Sequence, residues 1–150
     1  MPIDVEVNNK TKSPLAVDFF VEVAMKTIVA TGYDFLQEKN ISFSVALVSE
    51  EEMQKLNKEH RQRDSVTDIL SFYEYETIEE IKSITEKDLF LGELILCYDD
   101  IDKYASEQGV ELQNELVGVV AHGVLHLLGF AHGEKMFGIQ DNVVKKICKE

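Results

Sequence analysis

Three of the chain's four histidines lie within residues 121–132, which read AHGVLHLLGFAH. His122 and His126 are spaced i, i+4, and on a helix this spacing puts both imidazoles on one face, one turn apart. Two neutral imidazoles so placed can bind one metal ion. Gly129 can end the helix because glycine tolerates a left-handed helix stop, and the returning chain would bring His132 toward the same ion. Three protein ligands with an open fourth position are typical of a catalytic zinc site.

Chance is the alternative explanation, since an i, i+4 histidine pair can occur on any helix. The clustering of three histidines, with a glycine before the third, favours a metal site instead. The spacing H-x-x-x-H-x-x-G-x-x-H is the one that metzincin proteases use. In H-E-x-x-H proteases a glutamate beside the first histidine is the general base, but this chain has Gly123 there. Because glycine cannot accept a proton, the motif disfavours a protease.

A second candidate for chemistry lies in residues 61–68, RQRDSVTD, which have no helical period and are predicted to form a loop before a strand. Arg61 and Arg63 on such a loop suit an anionic substrate. An arginine can hold a phosphate through two hydrogen bonds and can stabilise added charge in a transition state. The alternative is a solvated connection in which Asp68 caps or terminates structure.

Length and composition predict one domain over residues 1–150, because 150 residues that are 45% hydrophobic can bury a sizeable core. The net charge of −13, averaged over the whole molecule, argues against nucleic-acid binding. Lysine and arginine nevertheless cluster over residues 55–63, so a local basic patch can exist on an acidic protein. Two distant cysteines predict reduced thiols and a cytoplasmic location. With neither a long apolar run nor the features of a signal peptide, we expect no membrane association.

The pattern of apolar residues predicts the element order β-α-β-α-β-β-α-α-α. The first β-α-β unit should form a right-handed parallel crossover, and the third and fourth strands should pair antiparallel. We therefore expect an α+β fold, a small mixed four-stranded sheet with about five surrounding helices and the metal-binding helix packed near the sheet. Strands are predicted at residues 3–7, 41–48, 69–75 and 89–98, and helices at 13–31, 49–60, 99–108, 111–128 and 134–149. Residues 76–88 are predicted to form an acidic surface excursion with a weak helical tendency around residues 78–84.

Three segments resemble motifs of the YbeY endoribonucleases, bacterial metalloproteins of ribosomal RNA maturation. HGVLHLLGFAH is similar to the family's H-G-x-L-H-L-x-G-[YF]-D-H, and LNKEHRQRDSVTDILSF to L-N-x-x-[YF]-R-x-x-D-x-P-T-D-V-L-S-F. LGELILC resembles the family's G-[DE]-I-x-I strand, and Met136 lies where the family has a methionine after the third ligand. The likeness spans about Ser49 to the C-terminus, and the first third fits the family's β-α-β opening.

This resemblance implies that His122, His126 and His132 bind one Zn²⁺ ion and that Arg61 is catalytically important. The implied activity is endonucleolytic cleavage of single-stranded RNA, including ribosomal RNA, in rRNA maturation and ribosome quality control. The ribosome or a ribosomal protein is then a candidate partner. Zinc at such a site polarises a phosphate oxygen or lowers the pKa of its bound water toward ~7. The attacking group, water or the ribose 2′-OH, stays open, as do the native metal and the oligomeric state.

The chain departs from the family's pattern at four positions. Ala131 replaces the aspartate before the last histidine, Gln62 replaces a glycine, and Val66 and Tyr73 replace prolines. The missing carboxylate at Ala131 is expected to weaken metal affinity or loosen the turn.

Two other functions are compatible with the histidine cluster. One is a ribosome-assembly binding module whose zinc is mainly structural, which the open coordination position disfavours. The other is a metallohydrolase acting on peptides or small molecules, which Gly123 disfavours. Glu115, two helical turns before His122, is expected to support the structure or a ligand rather than to act in catalysis.

Overall fold

A four-stranded mixed sheet forms the centre of the fold in the computed structural model, which describes residues 1–149. The strand order is β1-β2-β4-β3; β1, β2 and β4 run parallel, and β3 pairs antiparallel with β4. The predicted parallel β-α-β opening and the antiparallel addition are therefore confirmed. The strands are β1 (Ile3–Asn9), β2 (Asn40–Leu47), β3 (Ile69–Tyr73) and β4 (Asp88–Leu96).

Six α-helices and one 3₁₀ helix surround the sheet in the described part of the chain. The α+β class is as predicted, with one more short helix than expected. None of these helices combines the length and apolar character needed to cross a membrane. The helices are α1 (Val17–Thr31), α2 (Glu50–Arg61), α3 (Ile78–Lys82), α4 (Tyr98–Gln108), α5 (Leu112–Leu127) and α6 (Glu134–Cys148), and the 3₁₀ helix is Asp34–Glu38.

Helix α5 is buried on most of its circumference because it lies on β3 and β4 and also packs against α1, α4 and α6. A Cβ atom on Gly123 would be 2.6 Å from Cδ1 of Ile69 on β3 and 2.9 Å from Cδ2 of Leu94 on β4. The position therefore admits no side chain without displacing both strands' side chains. This contact explains why the glutamate of the protease motif is absent: the residue at this position faces the sheet, away from water. The predicted packing of the metal-binding helix near the sheet is confirmed.

The acidic segment before β4 is more ordered than the sequence indicates. Instead of a simple surface excursion it contains α3, whose Ile81 side chain is fully buried. Thr77 caps this helix, since its Oγ1 accepts a hydrogen bond from the Glu80 backbone N–H at 3.1 Å. Capping by a hydroxyl satisfies one of the unpaired N–H groups of the first turn. The sequence indicates only a weak helical tendency here, because acidic residues surround the single buried isoleucine.

Several element ends differ from the predicted ones. Helix α1 begins at Val17 rather than at Ser13, because Asn9 binds back to residues 11 and 13 and holds this stretch in a turn. Helix α4 begins at Tyr98 after an N-cap at Cys97, not at Asp99. Strand β3 ends at Tyr73, two residues earlier than expected. Helix α2 extends through Arg61, so this arginine closes a helix instead of opening a loop.

Candidate metal centre

The three predicted histidines converge on one point. The Nε2 atoms of His122 and His126 are 3.1 Å apart, those of His126 and His132 are 3.0 Å apart, and those of His132 and His122 are 3.1 Å apart. Within residues 1–149 this is the group of histidine, cysteine or acidic side chains whose ligand atoms lie close enough together to hold a metal ion. The structure thus brings together three side chains that the sequence spacing predicted to meet.

The turn after α5 carries His132 back to the helix. Gly129 has φ +87°, a left-handed conformation, and its N–H donates to the His126 carbonyl at 3.0 Å. A Cβ at this position would also lie 2.7 Å from the backbone Cα and C atoms of Thr77, just before α3. Glycine is therefore required twice, for the backbone conformation and for the close approach of a second chain segment. The buried α3 supports this turn, and so the third histidine.

Two of the histidines are oriented by acceptors on their outer ring nitrogens. Nδ1 of His122 lies 3.0 Å from Oε1 of Gln140 on α6, and Nδ1 of His126 lies 3.2 Å from the Phe130 carbonyl oxygen. An imidazole that donates its Nδ1–H to such an acceptor keeps its Nε2 lone pair for a metal. Burial lowers the pKa of His126 below its ordinary value, and the neighbouring His122 and His132 lower it further. The neutral, metal-binding form of this ring is thereby favoured.

The geometry fits one small divalent ion. Zn–N bonds of about 2.0–2.1 Å in a tetrahedral site separate the nitrogens by roughly 3.3 Å, close to the spacing of the three Nε2 atoms. Lone pairs that face one another at this distance repel, and a cation among them removes that repulsion. His132 is exposed whereas His122 and His126 are half-buried. The cluster is therefore accessible from one side, as a catalytic rather than a structural metal site requires.

Arg61 reaches the same cleft from α2. The cleft has a volume of about 650 Å³ and is bordered by all three histidines, by Arg61 and by the whole of β3. The next residue, Gln62, ends α2 in a left-handed conformation with φ 56°. Arg61 is exposed and belongs to none of the ion pairs found in residues 1–149. The side chain is available to an anion in the cleft.

Two carboxylates also border the cleft, Asp68 just before β3 and Glu115 on α5. Burial raises the pKa of Glu115 above its ordinary value, and the negative charge of Asp68 raises it further. Asp68 accepts a hydrogen bond from the Ile69 N–H at 2.8 Å, which holds its carboxylate beside the strand end. The fixed charges of the cleft lining are therefore one arginine against two acidic groups.

Sequence reasoning missed the aromatic and amide groups around the histidines. The Phe137 ring is nearly parallel to those of His122 and His132, with centroids 6.2 and 6.0 Å away. Gln140 lies on the same side of α6 as two buried residues, Met136 and Val143. That i, i+4, i+7 spacing was the available signal, because it places the glutamine among inward-facing positions. Ala131 is exposed, and nothing in the structure explains the alanine.

The chain is similar to known proteins of one family over most of its length. Residues 6–148 match the family model described as Endoribonuclease YbeY. The chain is 34% identical over 132 residues to an Endoribonuclease YbeY of Staphylococcus saprophyticus, covering 85% of each chain. It is also 34% identical over 129 residues to that of Oenococcus oeni, covering 81% of this chain and 82% of the relative. A solution structure of a Thermotoga maritima protein matches with a TM-score of 0.65 at 24% identity, covering 97% of this chain and 90% of the other. This last likeness concerns the fold alone.

Proposed function

Because the chain belongs to the endoribonuclease YbeY family, we propose that it is a metal-dependent endoribonuclease that cleaves single-stranded RNA. Its substrate is ribosomal RNA, in maturation and ribosome quality control. His122, His126 and His132 hold one Zn²⁺ ion, and Arg61 stabilises negative charge on the phosphate. The observation that carries the proposal is the convergence of three Nε2 atoms within 3.1 Å of one another in the cleft that Arg61 borders.

The chemistry divides between the metal and the arginine. When bound, a divalent ion supplies Lewis-acid polarisation at the scissile phosphodiester. Arg61 binds a non-bridging phosphate oxygen and stabilises the charge that grows on the phosphate in the transition state. His122 and His126 stay oriented through their bonds to Gln140 and to the Phe130 carbonyl, so the site needs little rearrangement before reaction.

The same features make a protease a weaker candidate. The helix position of the protease glutamate faces the sheet at Gly123, where even a Cβ would lie 2.6 Å from Ile69. The half-buried carboxylate on α5 that does border the cleft is Glu115, which lies two turns before the first histidine and not beside it. An arginine beside the metal ligands suits a phosphodiester better than an uncharged peptide bond.

A cleavage assay tests the proposal directly. Purified protein is loaded with Zn²⁺, Mn²⁺ or Mg²⁺ and given end-labelled RNA, single-stranded or duplex, and single-stranded DNA. We expect cleavage of single-stranded RNA, loss of cleavage in His126→Ala, and a fall of about 10²–10³-fold in kcat for Arg61→Ala. Arg63→Ala is the matched control, because Arg63 is exposed and outside the cleft lining. Equal cleavage by His126→Ala and the parent protein would show that the activity comes from elsewhere.

Two further measurements identify the attacking group and distinguish an enzyme from a binding module. Product ends that carry a 2′,3′-cyclic phosphate and a 5′-hydroxyl identify the ribose 2′-OH as the attacking group, whereas 5′-phosphate and 3′-hydroxyl ends identify water. If His126→Ala unfolds the protein and no RNA is cleaved by the parent, the metal is structural and the chain is a binding module.

We also propose that this is a single-domain cytoplasmic protein that meets its RNA on the ribosome or through a ribosomal protein. Its net charge of −13 makes a basic protein surface a favourable neighbour. Co-sedimentation with small ribosomal subunits that falls when the acidic residues Glu79 and Glu80 are changed to lysine would support recruitment through α3. Unchanged co-sedimentation would exclude that surface.

A further inference from the structure

Tyr73 is an exposed aromatic residue at the end of β3, beside the candidate metal centre. Its side chain is 53% exposed although it borders the same cleft as the three histidines and Arg61. Phe137, which is 47% exposed, also borders this cleft, but its ring is packed along those of His122 and His132. Within residues 1–149 the Tyr73 ring stacks on no other aromatic ring. One face of Tyr73 is therefore available to a flat partner.

The strand geometry places Tyr73 on the face of β3 that is directed toward α5. Side chains alternate along a strand, so Ile69 and Tyr73 lie on the same face of β3. Ile69 is the residue that meets Gly123 of α5, so this face is the one that α5 covers. Strand β3 is also at the edge of the sheet, with β4 as its partner, and the cleft runs along its other side. An extended chain lying in this cleft would pass both Tyr73 and the histidines.

Electrostatics alone give this cleft little hold on a polynucleotide. Its lining carries Arg61 against Asp68 and Glu115, in a protein with a net charge of −13. Affinity for RNA ordinarily comes from lysine and arginine residues that neutralise several phosphates. One arginine and one metal ion can engage about one phosphate, so a further attraction that does not depend on charge is needed. Stacking of a base on an aromatic side chain is such an attraction.

We propose that Tyr73 is a stacking platform for one nucleobase of single-stranded RNA, adjacent to the phosphate that is cleaved. The inference rests on the proposed RNA-cleaving function and adds a subsite to it. A base in a duplex is stacked and paired, and cannot leave to cover Tyr73 without losing those interactions. The platform thus selects single strands. Since every base has an aromatic face, it imposes little sequence preference.

The test measures binding and cleavage separately. The metal-loaded protein is titrated with a 2′-O-methyl phosphorothioate octanucleotide carrying 2-aminopurine at one position at a time, whose fluorescence falls when the base stacks. Cleavage is followed on the unmodified RNA of the same sequence. The variants are Tyr73→Ala and Tyr73→Phe, with Tyr104→Ala as the matched control, because Tyr104 is 50% exposed on α4 and outside the cleft lining. Thermal melts check that each variant folds.

We expect Tyr73→Ala to weaken binding by about 5–100-fold and to abolish the fluorescence change at one position of the octamer. Tyr73→Phe should restore both, since its ring is the same, and Tyr104→Ala should match the parent protein. KM for cleavage should rise in Tyr73→Ala more than kcat falls.

Each contrary result has a distinct meaning. If the parent protein cleaves RNA and Tyr73→Ala binds and cleaves equally well, the platform is disproved while the endoribonuclease stands. If the parent protein binds the octamer with a Tyr73-dependent change but cleaves no RNA with any metal, the proposed function fails and the base-binding subsite stands. If an uncharged octapeptide is bound more tightly than RNA and Tyr73→Ala weakens only the peptide, the cleft takes polypeptide and both are overturned. No RNA binding at all overturns both as well.

Discussion

Oε1 of Gln140 lies 3.0 Å from Nδ1 of His122, and the two residues are eighteen positions apart, on α6 and α5 respectively. This contact ties the last helix to the first of the three converging histidines. It also decides which nitrogen of His122 carries the proton, because the amide oxygen can only accept. The Nε2 atom, which faces His126 and His132, therefore carries no proton and keeps its lone pair. Helix α6 is in this sense part of the candidate metal centre, although it supplies none of the three histidines.

Gln140→Leu should weaken metal binding without unfolding the protein. The leucine keeps the volume of the side chain but removes the acceptor, so His122 is free to rotate and to change tautomer. Loss of such an orienting partner typically lowers metal affinity by about 10–100-fold. Competition against a chromogenic chelator measures the change. Gln113→Leu, at an exposed position on α5, is the matched control, and equal affinities of the two variants would contradict the role given to Gln140.

Gly123→Ala should destabilise the protein. The new methyl group would lie 2.6 Å from Cδ1 of Ile69 and 2.9 Å from Cδ2 of Leu94, so these packed side chains, or α5 itself, must shift. Overpacking of this kind lowers the free energy of unfolding by about 1–3 kcal/mol. Gly138→Ala is the matched control, because a Cβ there meets nothing within 4 Å. Because Gly138 lies on the exposed side of α6, the Gly138→Ala substitution should raise the free energy of unfolding by about 0.5–1 kcal/mol through helix propensity alone.

Urea unfolding of the two glycine variants measures both effects. Opposite signs support direct packing of α5 on β3 and β4. A stabilised Gly123→Ala would mean that the helix stands off the sheet. The protease-like change Gly123→Glu should not give a soluble folded protein, because it adds a buried charge to the same clash.

The fold class and the histidine cluster were accessible from sequence because both depend on local periodicity. The alternation in β1, the long apolar strands and the i, i+4 pair His122 and His126 are each written in consecutive residues. Strand pairing then followed from connection lengths and from the handedness of β-α-β units. The turn at Gly129 was predictable for the same reason, since left-handed helix ends favour glycine.

The remaining parts of the site depend on contacts between distant segments. Nothing in the residues around Gln140 reveals that its amide meets His122, and nothing around Thr77 reveals that its backbone packs on Gly129. The role of Gly123 as a contact between helix and sheet also needed the structure, because the sequence shows only that the protease glutamate is missing. Arg61 was assigned to a loop because the helix period fades in polar residues, although the helix itself continues to that residue.

Gln62→Gly should stabilise the end of α2. Gln62 has φ 56° and ψ 32°, a left-handed conformation that disfavours any residue with a Cβ. Glycine adopts it without this strain, so the free energy of unfolding should rise by about 0.5–1 kcal/mol. Gln108→Gly is the matched control: Gln108 is the last residue of α4, and a glycine within a helix should lower stability by a similar amount. Thermal melting distinguishes them, and a destabilised Gln62→Gly would contradict the assigned conformation.

Glu115 should make stability depend on pH. Its pKa is raised from the ordinary value of 4.5, first by burial and then by the charge of Asp68. Between the unfolded and folded pKa values the folded protein holds the extra proton. The stabilisation from this group is therefore complete below about pH 4.5 and is lost as the pH rises through the folded pKa. Glu115→Gln has no such proton to lose, so its stability relative to the parent protein should increase with pH across this window.

Urea unfolding of the metal-free proteins between about pH 4 and pH 8 tests this dependence. The comparison isolates Glu115, because Asp100, whose pKa is also raised by burial and by Asp68, is present in both proteins. Asp68→Asn removes the second cause of the Glu115 shift, so in that background Glu115→Gln should change the pH dependence less. Parallel stability curves for the parent protein and Glu115→Gln would show that the carboxylate is solvated and that the cleft floor around α5 is open to water.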